Sequence, residues 1–271
     1  MQDNSALGRA VAMVRDLRQR CPWDRAQTRE TIRPYLIEEV FELDHAIAEG
    51  DPRAIREEVA DLLLHLGWQL VLGEEHREFT ADEVAGDLER KMRRRHPHLF
   101  DLGPAEQWAR LKHKEKRRGI LDGLPPALPS LLMAYRLQER AAGVGFDWPD
   151  TTGPLAKVRE ELAEVERELE DGGKAAGRQD GMNPPALQST EPIYPAPPEA
   201  LVDEIGDLLF AVVNLARKAR VQPSTALDRA NTKFRRRFEQ IETLAAERGV
   251  DMATAGLEVL DVLWEEVKQG E

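Results

Sequence analysis

Three sequence motifs recur in the same order in the two halves of the chain. Glu38-Glu39-Val40-Phe41-Glu42 has a counterpart in Glu160-Glu161-Leu162-Ala163-Glu164, Glu58-Val59-Ala60-Asp61 in Glu204-Ile205-Gly206-Asp207, and Lys91-Met92-Arg93-Arg94-Arg95 in Lys233-Phe234-Arg235-Arg236-Arg237. The lead-in recurs too, with Trp23-Asp24 ending 14 residues before Glu38 and Phe146-Asp147 ending 13 before Glu160. An ordered series of this kind demands two related folding units, and 271 residues suit two domains of roughly 100 to 200 each. Asp122-Gly123-Leu124-Pro125-Pro126 is the natural break, giving expected domains 1–122 and 123–271. Glu42 to Glu58 is 16 residues but Glu164 to Glu204 is 40, and the surplus falls on Gly/Pro-rich sequence without an apolar period. A flexible insertion at about 172–198 is expected there.

The apolar spacing is helical throughout. Leu155, Val158, Leu162, Val165 and Leu169 step by three and four, as do Leu201, Ile205, Leu208, Val212 and Leu215. In the first half, Pro34 to about Ala48 and Pro52 to about Leu72 read as helices, each with a proline near its start. With 32% charged residues and only 6% aromatic ones, the expected fold is all-α.

On a helix, Glu161 and Glu164 project from neighbouring turns of one face, and so do Glu204 and Asp207. Two such helices packed together bring four carboxylates into one place, where they repel unless cations or protons intervene. All six histidines lie at or before His113 and the one cysteine is Cys21, so the second half offers oxygen ligands only. That set suits Mg²⁺, or Mn²⁺, and not zinc. Acid-rich faces are usually solvated surface, and the helical wheel puts Glu161 about 80° and Glu164 about 140° from the centre of their apolar stripe. A solvated face, however, needs no fixed order of acid pairs and basic cluster in both halves.

Lys233, Arg236 and Arg237 occupy offsets i, i+3 and i+4, one side of a helix on which a polyphosphate can be gripped or surface acids paired. With 38 basic against 50 acidic residues and a formal net charge of −12, broad binding to a nucleic-acid backbone works against the overall field. No apolar run approaches the ~18 residues of a membrane helix. Without a secretory pattern or a cysteine pair, a cytoplasmic protein is expected.

Two acid motifs of the form EExxE and ExxD followed by a Lys-x-x-Arg-Arg cluster resemble the MazG family. Cys21-Pro22-Trp23-Asp24, Arg95-His96-Pro97-His98-Leu99-Phe100, Val144-Gly145-Phe146-Asp147-Trp148 and Asn231-x-Lys233-Phe234 look like its landmark segments. The resemblance implies two tandem helical domains with four-helix-bundle-like cores, completed by dimerisation as a homodimer. It also implies Mg²⁺-dependent conversion of a nucleoside triphosphate to monophosphate and pyrophosphate. Carried over by motif, the metal ligands are Glu161, Glu164, Glu204 and Asp207, with Glu39, Glu42, Glu58 and Asp61 as first-half counterparts. Lys157 and the cluster from Lys233 to Arg237 meet the phosphates, and Trp264 stacks on the base. The family's further lysine before the second ExxD motif is missing, since Ala200, Leu201, Val202 and Asp203 stand there. Glu160 is the expected proton acceptor for the attacking water.

Two other readings stay open on the residues alone. A di-iron carboxylate bundle needs paired Glu-x-x-His motifs, and only Glu42-Leu43-Asp44-His45 supplies one. A non-catalytic helical dimer, acting as a regulatory or scaffold protein, would carry its acids merely as surface. Between the copies, the second is expected to do most of the turnover. It has neutral Asn231 two residues before its cluster lysine, able to hydrogen-bond phosphate or sugar, where the first has Glu89, and its helix continues through Phe238 and Ile241 where Pro97 should stop the first.

Overall fold

Helix starts are written into short polar caps. The computed structural model describes residues 5–100, 119–175 and 197–270, with the side chains of 171–175 not among those described. Ser5 accepts a hydrogen bond from the Gly8 amide and opens α1 (Ala6–Arg20), which is followed by the short α2 (Pro22–Ala26). Thr28 and Thr31 form a reciprocal capping box at the start of α3 (Arg29–Glu49). The helix therefore begins before Pro34, which lies inside it and not at its first turn. α3 ends on Gly50 in the left-handed region (φ 72°), Asp51 caps the next helix, and Pro52 takes its first position, so α4 (Pro52–Glu75) folds straight back along α3. A second capping box, Thr80 with Glu83, starts α5 (Ala81–Arg95), and Pro97 ends it in a 3₁₀ turn, as the sequence predicts.

The second unit repeats the succession: α6 (Ser130–Ala142), α7 (Thr152–Ala175), α8 (Glu199–Lys218) and α9 (Pro223–Glu247), with α10 (Gly256–Gln269) added. Among the described residues these elements are all helical, which bears out the all-α expectation. The chain divides into two compact units, Met1–Glu106 and Gln107–Glu271. In the first, α1 and α3 both pack on α4; in the second, α6 and α7 both pack on α8, so the sequence repeat is also a packing repeat. Arg140 on α6 donates to the carbonyls of Leu121 and Asp122, which ties the Asp-Gly-Leu-Pro-Pro turn to the second unit. α7 runs on through Gly172 and Gly173 to Ala175, and residues 176–196 of the expected insertion lie outside the described residues.

Each motif helix is apolar on more than one side, and the wheel centred on the whole stripe does not mark the packed face. On α7 the side turned inward carries Pro154, Glu161 and Val165, all buried, whereas Leu155, Leu162 and Leu169 of the same stripe are exposed. On α8, Ala211 is buried with Leu201, Glu204 and Leu208 half-buried along its row, while Val202, Ile205, Leu209 and Val212 form a second, exposed row. A mean direction over two apolar rows points between them, which is why the wheel sets Glu161 too far from the core.

In the first unit Val14, Ile32, Trp68, Val71 and Leu72 close a single core between α1, α3 and α4. Gly73 lets the Phe79 ring settle on α4, since a Cβ there would stand 2.3 Å from a ring carbon. Among the described residues no helix is long and apolar enough to cross a membrane. Leu72 is 1% exposed; its replacement by alanine removes that filling and should cost roughly 2–5 kcal/mol, read as a lowered urea midpoint for loss of helix signal.

Candidate metal centres

The packed pair α7–α8 carries the five motif acids of the second copy, Glu160, Glu161, Glu164, Glu204 and Asp207. Carboxylate oxygens of Glu161, Glu204 and Asp207 lie within 4.8 Å of one another, and so do those of Glu160, Glu161 and Glu164. Glu161 belongs to both groups and is 4% exposed, far from the solvated surface that an acid-rich face usually makes. Burial pushes the Glu204 carboxyl up from its ordinary value, and the charges of Glu164, Glu161, Asp207 and Glu168 push it further. Lys157, one turn before Glu161, is the local counter-charge: its ammonium pairs with Glu161 and lies 2.9 Å from Glu160. Those two carboxylates hold the lysine above its usual range. Arg167 reaches Glu164 at 3.0 Å from the other side.

The first copy builds the same centre between α3 and α4. Oxygens of Glu39, Glu58 and Asp61 lie within 4.8 Å of one another. Burial raises Glu39 first, with Asp61, Glu42, Glu58 and Glu38 adding repulsion; burial and then Glu42, Asp61 and Glu57 raise Glu58. Glu42 is thus close enough to be felt by both. Tyr35 stands where the second copy has Lys157, so this centre lacks that internal cation. It has instead His65, buried on α4 where the second copy has Ala211. Sequence reading missed His65, although its place one turn after Asp61 and two after Glu58 puts it on the same face. Burial pulls the imidazole down and Asp61 works the other way. An open groove of 840 Å³ runs beside this centre, lined by Glu38, Phe41, Glu42, His45, Glu49, Asp51 and Glu58 among others.

The basic cluster of the second copy sits on α9, where Asn231, Lys233 and Arg236 are exposed and Arg237 is half-buried. The Arg237 guanidinium lies 5.7 Å from the Trp264 ring centre on α10, and Phe234 meets the same ring at 5.3 Å. Trp264 is half-buried and leans on the core of Ile241, Ala245 and Leu263. α9 continues through Phe238 and Ile241 to Glu247, as expected from the absence of a proline.

A polar knot that the sequence did not reveal fixes the lead-in of the second copy. Asp147 accepts from Arg217 at 2.6 Å and from Lys218 at 3.0 Å, and Arg217 also donates to Asn214 at 2.7 Å. Its partners lie 70 and 71 residues away, a separation no local pattern reports. The Arg217 hydrogen bond, with Lys218 adding to it, holds the Asp147 carboxyl down from 3.8 to about 2.

These features define an all-α protein with paired helical carboxylate centres. Residues 27–100 match the MazG nucleotide pyrophosphohydrolase domain. The chain is 37% identical over 257 residues to the nucleoside triphosphate pyrophosphohydrolase/pyrophosphatase MazG of Thermotoga maritima, covering 93% of this chain and 90% of that protein. It is 36% identical over 270 residues to the nucleoside triphosphate pyrophosphohydrolase of Escherichia coli strain K12, covering 95% and 94%. The uncharacterized protein YabN of Bacillus subtilis is 38% identical over 273 residues, 96% of this chain but 51% of that protein. The chain belongs to the MazG nucleotide pyrophosphohydrolase family.

Because Glu204 is raised by burial and by neighbouring acids, its ionised form opposes folding more strongly as pH rises through its folded-state pKa. In divalent-free buffer at pH 8, Glu204→Gln should therefore melt higher than the unmodified protein in differential scanning calorimetry. Added Mg²⁺ or Mn²⁺ should stabilise the unmodified protein more than the variant. Asp147 has the opposite sign. With its carboxyl held at about 2 against an ordinary 3.8, its ion pairs contribute fully above pH 3.8 and fade as pH falls towards 2. Asp147→Asn should lower the urea midpoint at pH 6 and bring it close to the unmodified value at pH 2.

Proposed function

We propose that the protein hydrolyses nucleoside triphosphates to nucleoside monophosphate and pyrophosphate with Mg²⁺ or Mn²⁺, as a nucleotide-pool housekeeping enzyme. The observation that carries this reading is the grouping of Glu161, Glu204 and Asp207, three carboxylates within 4.8 Å on a helix pair with no histidine or cysteine in its half of the chain. Such a set fits a hard divalent cation, and the raised carboxyl of Glu204 marks the charge a cation would relieve. Glu161, Glu164, Glu204 and Asp207 would hold it in the second copy, and Glu39, Glu42, Glu58 and Asp61 in the first. When bound, the ion supplies Lewis-acid polarisation and neutralises phosphate charge. Names of relatives that are 36 and 37% identical over nearly the whole chain support the same activity.

The chain's own residues supply orientation and proton transfer. Lys157 now answers Glu160 and Glu161; a triphosphate and its cations give it a second partner, and it turns to phosphate oxygen. Lys233, Arg236 and Arg237 draw the β- and γ-phosphates to one side of α9, Asn231 hydrogen-bonds phosphate or sugar, and Trp264 offers a ring to the base. Water attacks the α-phosphorus, the bond from that phosphorus to the bridging oxygen breaks, and pyrophosphate leaves. Glu160, exposed at the rim of the cluster, takes the water's proton. Placement and electrostatics carry the rate, as in other phosphoryl transfers.

The second copy is the working one in this reading. The groove beside the first centre is lined by Glu38, Glu42, Glu49, Asp51 and Glu58, a field that repels a triphosphate. The exposed rows Leu155, Leu162, Leu169 and Ile205, Leu209, Val212 support association as a homodimer. Domain limits of 1–122 and 123–271, and a cytoplasmic setting without nucleic-acid or membrane partners, belong to the same reading.

Incubated with a panel of nucleoside triphosphates, the protein should release pyrophosphate and not orthophosphate, and only with Mg²⁺ or Mn²⁺ present. Nucleoside diphosphate as primary product would overturn the reaction, and no turnover of any triphosphate would favour the scaffold. Glu204→Gln and Asp207→Asn should each lose at least about a hundredfold in kcat, while Glu58→Gln and Asp61→Asn keep most of it in folded protein at saturating Mg²⁺. Equal losses from the two pairs would show that both centres work or that they share one site.

A further inference from the structure

We propose that Asp147 and Trp148 act as a clamp that sets the register of α7 on α8 and so places Glu161 against Glu204 and Asp207. They are positioning residues, and their role rests on the reading of that acid cluster as a metal centre. In the first unit the turn that joins the equivalent helices fixes their register: α3 ends on Gly50, Asp51 caps the next helix, and α4 starts at Pro52. In the second unit residues 176–198 stand between α7 and α8. A connection of that length is compatible with many offsets between the helices it joins, so the register has to be set elsewhere.

The opposite end of the helix pair supplies the means. Asp147 accepts from Arg217 at 2.6 Å and from Lys218 at 3.0 Å, and Lys218 also donates to the Trp148 carbonyl. Both cations lie in the last turn of α8, with side chains 11% and 18% exposed. The Trp148 indole in turn rests on the first turn of α7 at Gly153, where a Cβ would stand within 2.6 Å of the ring atoms Cδ1, Nε1 and Cγ. Alanine is the better helix former, so the glycine answers the close approach of the ring. Asp150 accepts from the Thr152 amide at 2.8 Å as α7 begins, and Pro154 beside Gly153 is fully buried. Gly153 precedes Lys157 by one turn and Glu161 by about two, so a slip of α7 at this point moves both.

The first unit supplies the internal control. At the positions equivalent to Arg217 and Lys218 it has Val71 and Leu72, which belong to its apolar core, and at that of Gly153 it has Thr31. The unit with the tight turn thus lacks the clamp, and the unit with the long connection has it.

Mn²⁺ titration followed by electron paramagnetic resonance, on full chains held well below their melting midpoints, tests the clamp. In the Glu58→Gln/Asp61→Asn background, which leaves the second centre to bind, Gly153→Ala and Asp147→Asn should each weaken Mn²⁺ binding at least about tenfold. In the complementary Glu204→Gln/Asp207→Asn background neither change should alter binding at the first centre. Replacing residues 172–197 by Gly-Asp gives the second unit the 16-residue spacing of Glu42 to Glu58, and in that shortened chain Asp147→Asn should lose little affinity. Unchanged Mn²⁺ affinity in both variants, with only a lowered urea midpoint, would show a purely stabilising contact; it overturns the clamp and leaves the metal reading standing. An undiminished loss from Asp147→Asn in the shortened chain overturns the register account. Absence of Mn²⁺ from the second centre of the parent sinks the metal reading, and the positioning role with it. Should Gly153→Ala fail to fold, Asp147→Asn alone gives the answer.

Discussion

Like charge confined between two packed helices is the constraint on which both units depend. Glu161 is 4% exposed among Glu160, Glu164, Glu204 and Asp207, and Glu39 is half-buried among Glu42, Glu58 and Asp61. Free carboxylates would leave such a place for water, and they stay because the helices are held by contacts elsewhere. In the first unit the holding contacts are the core of Val14, Ile32, Trp68, Val71 and Leu72 at the far end of α4 from Glu58. In the second they include Asp147 tied to Arg217 and Lys218 at the last turn of α8. Stability is built at one end of the pair and spent in repulsion at the other, an arrangement that suits a site made to receive cations.

The two units have parted from a common plan by small exchanges around the same acids. Lys157 corresponds to Tyr35, Ala211 to His65, and Asn231 to Glu89. Each exchange changes a charge or a donor atom while leaving the helices in place. The second centre thereby gains an ammonium and a less acidic approach, and the first gains a buried imidazole beside an acid-lined groove. Retaining the scaffold while altering the donors is the economical way to give one chain two centres of different character.

The doubled apolar rows of α7 and α8 have different surroundings. One row closes the helix pair and surrounds the acids; the other, with Leu162, Ile205 and Leu209 between 43% and 54% exposed, faces away from that packing.

Much of this protein was legible in its residues. The repeat, the helical class, the oxygen-only donor set of the second half and the family follow from local order and composition, and caps such as Asp51-Pro52 fix helix starts without reference to the rest of the chain. Helix limits were less legible where local signals compete: Pro34 reads as a start, yet the Thr28–Thr31 box begins the helix one turn earlier. Which side of each helix faces inward was decided by packing, because two apolar rows on one helix give a wheel no single direction. That choice buried Glu161 and exposed Leu162. The Asp147 knot and the approach of His65 to Glu39 join residues 70 and 26 positions apart, and only the tertiary fold brings such groups side by side.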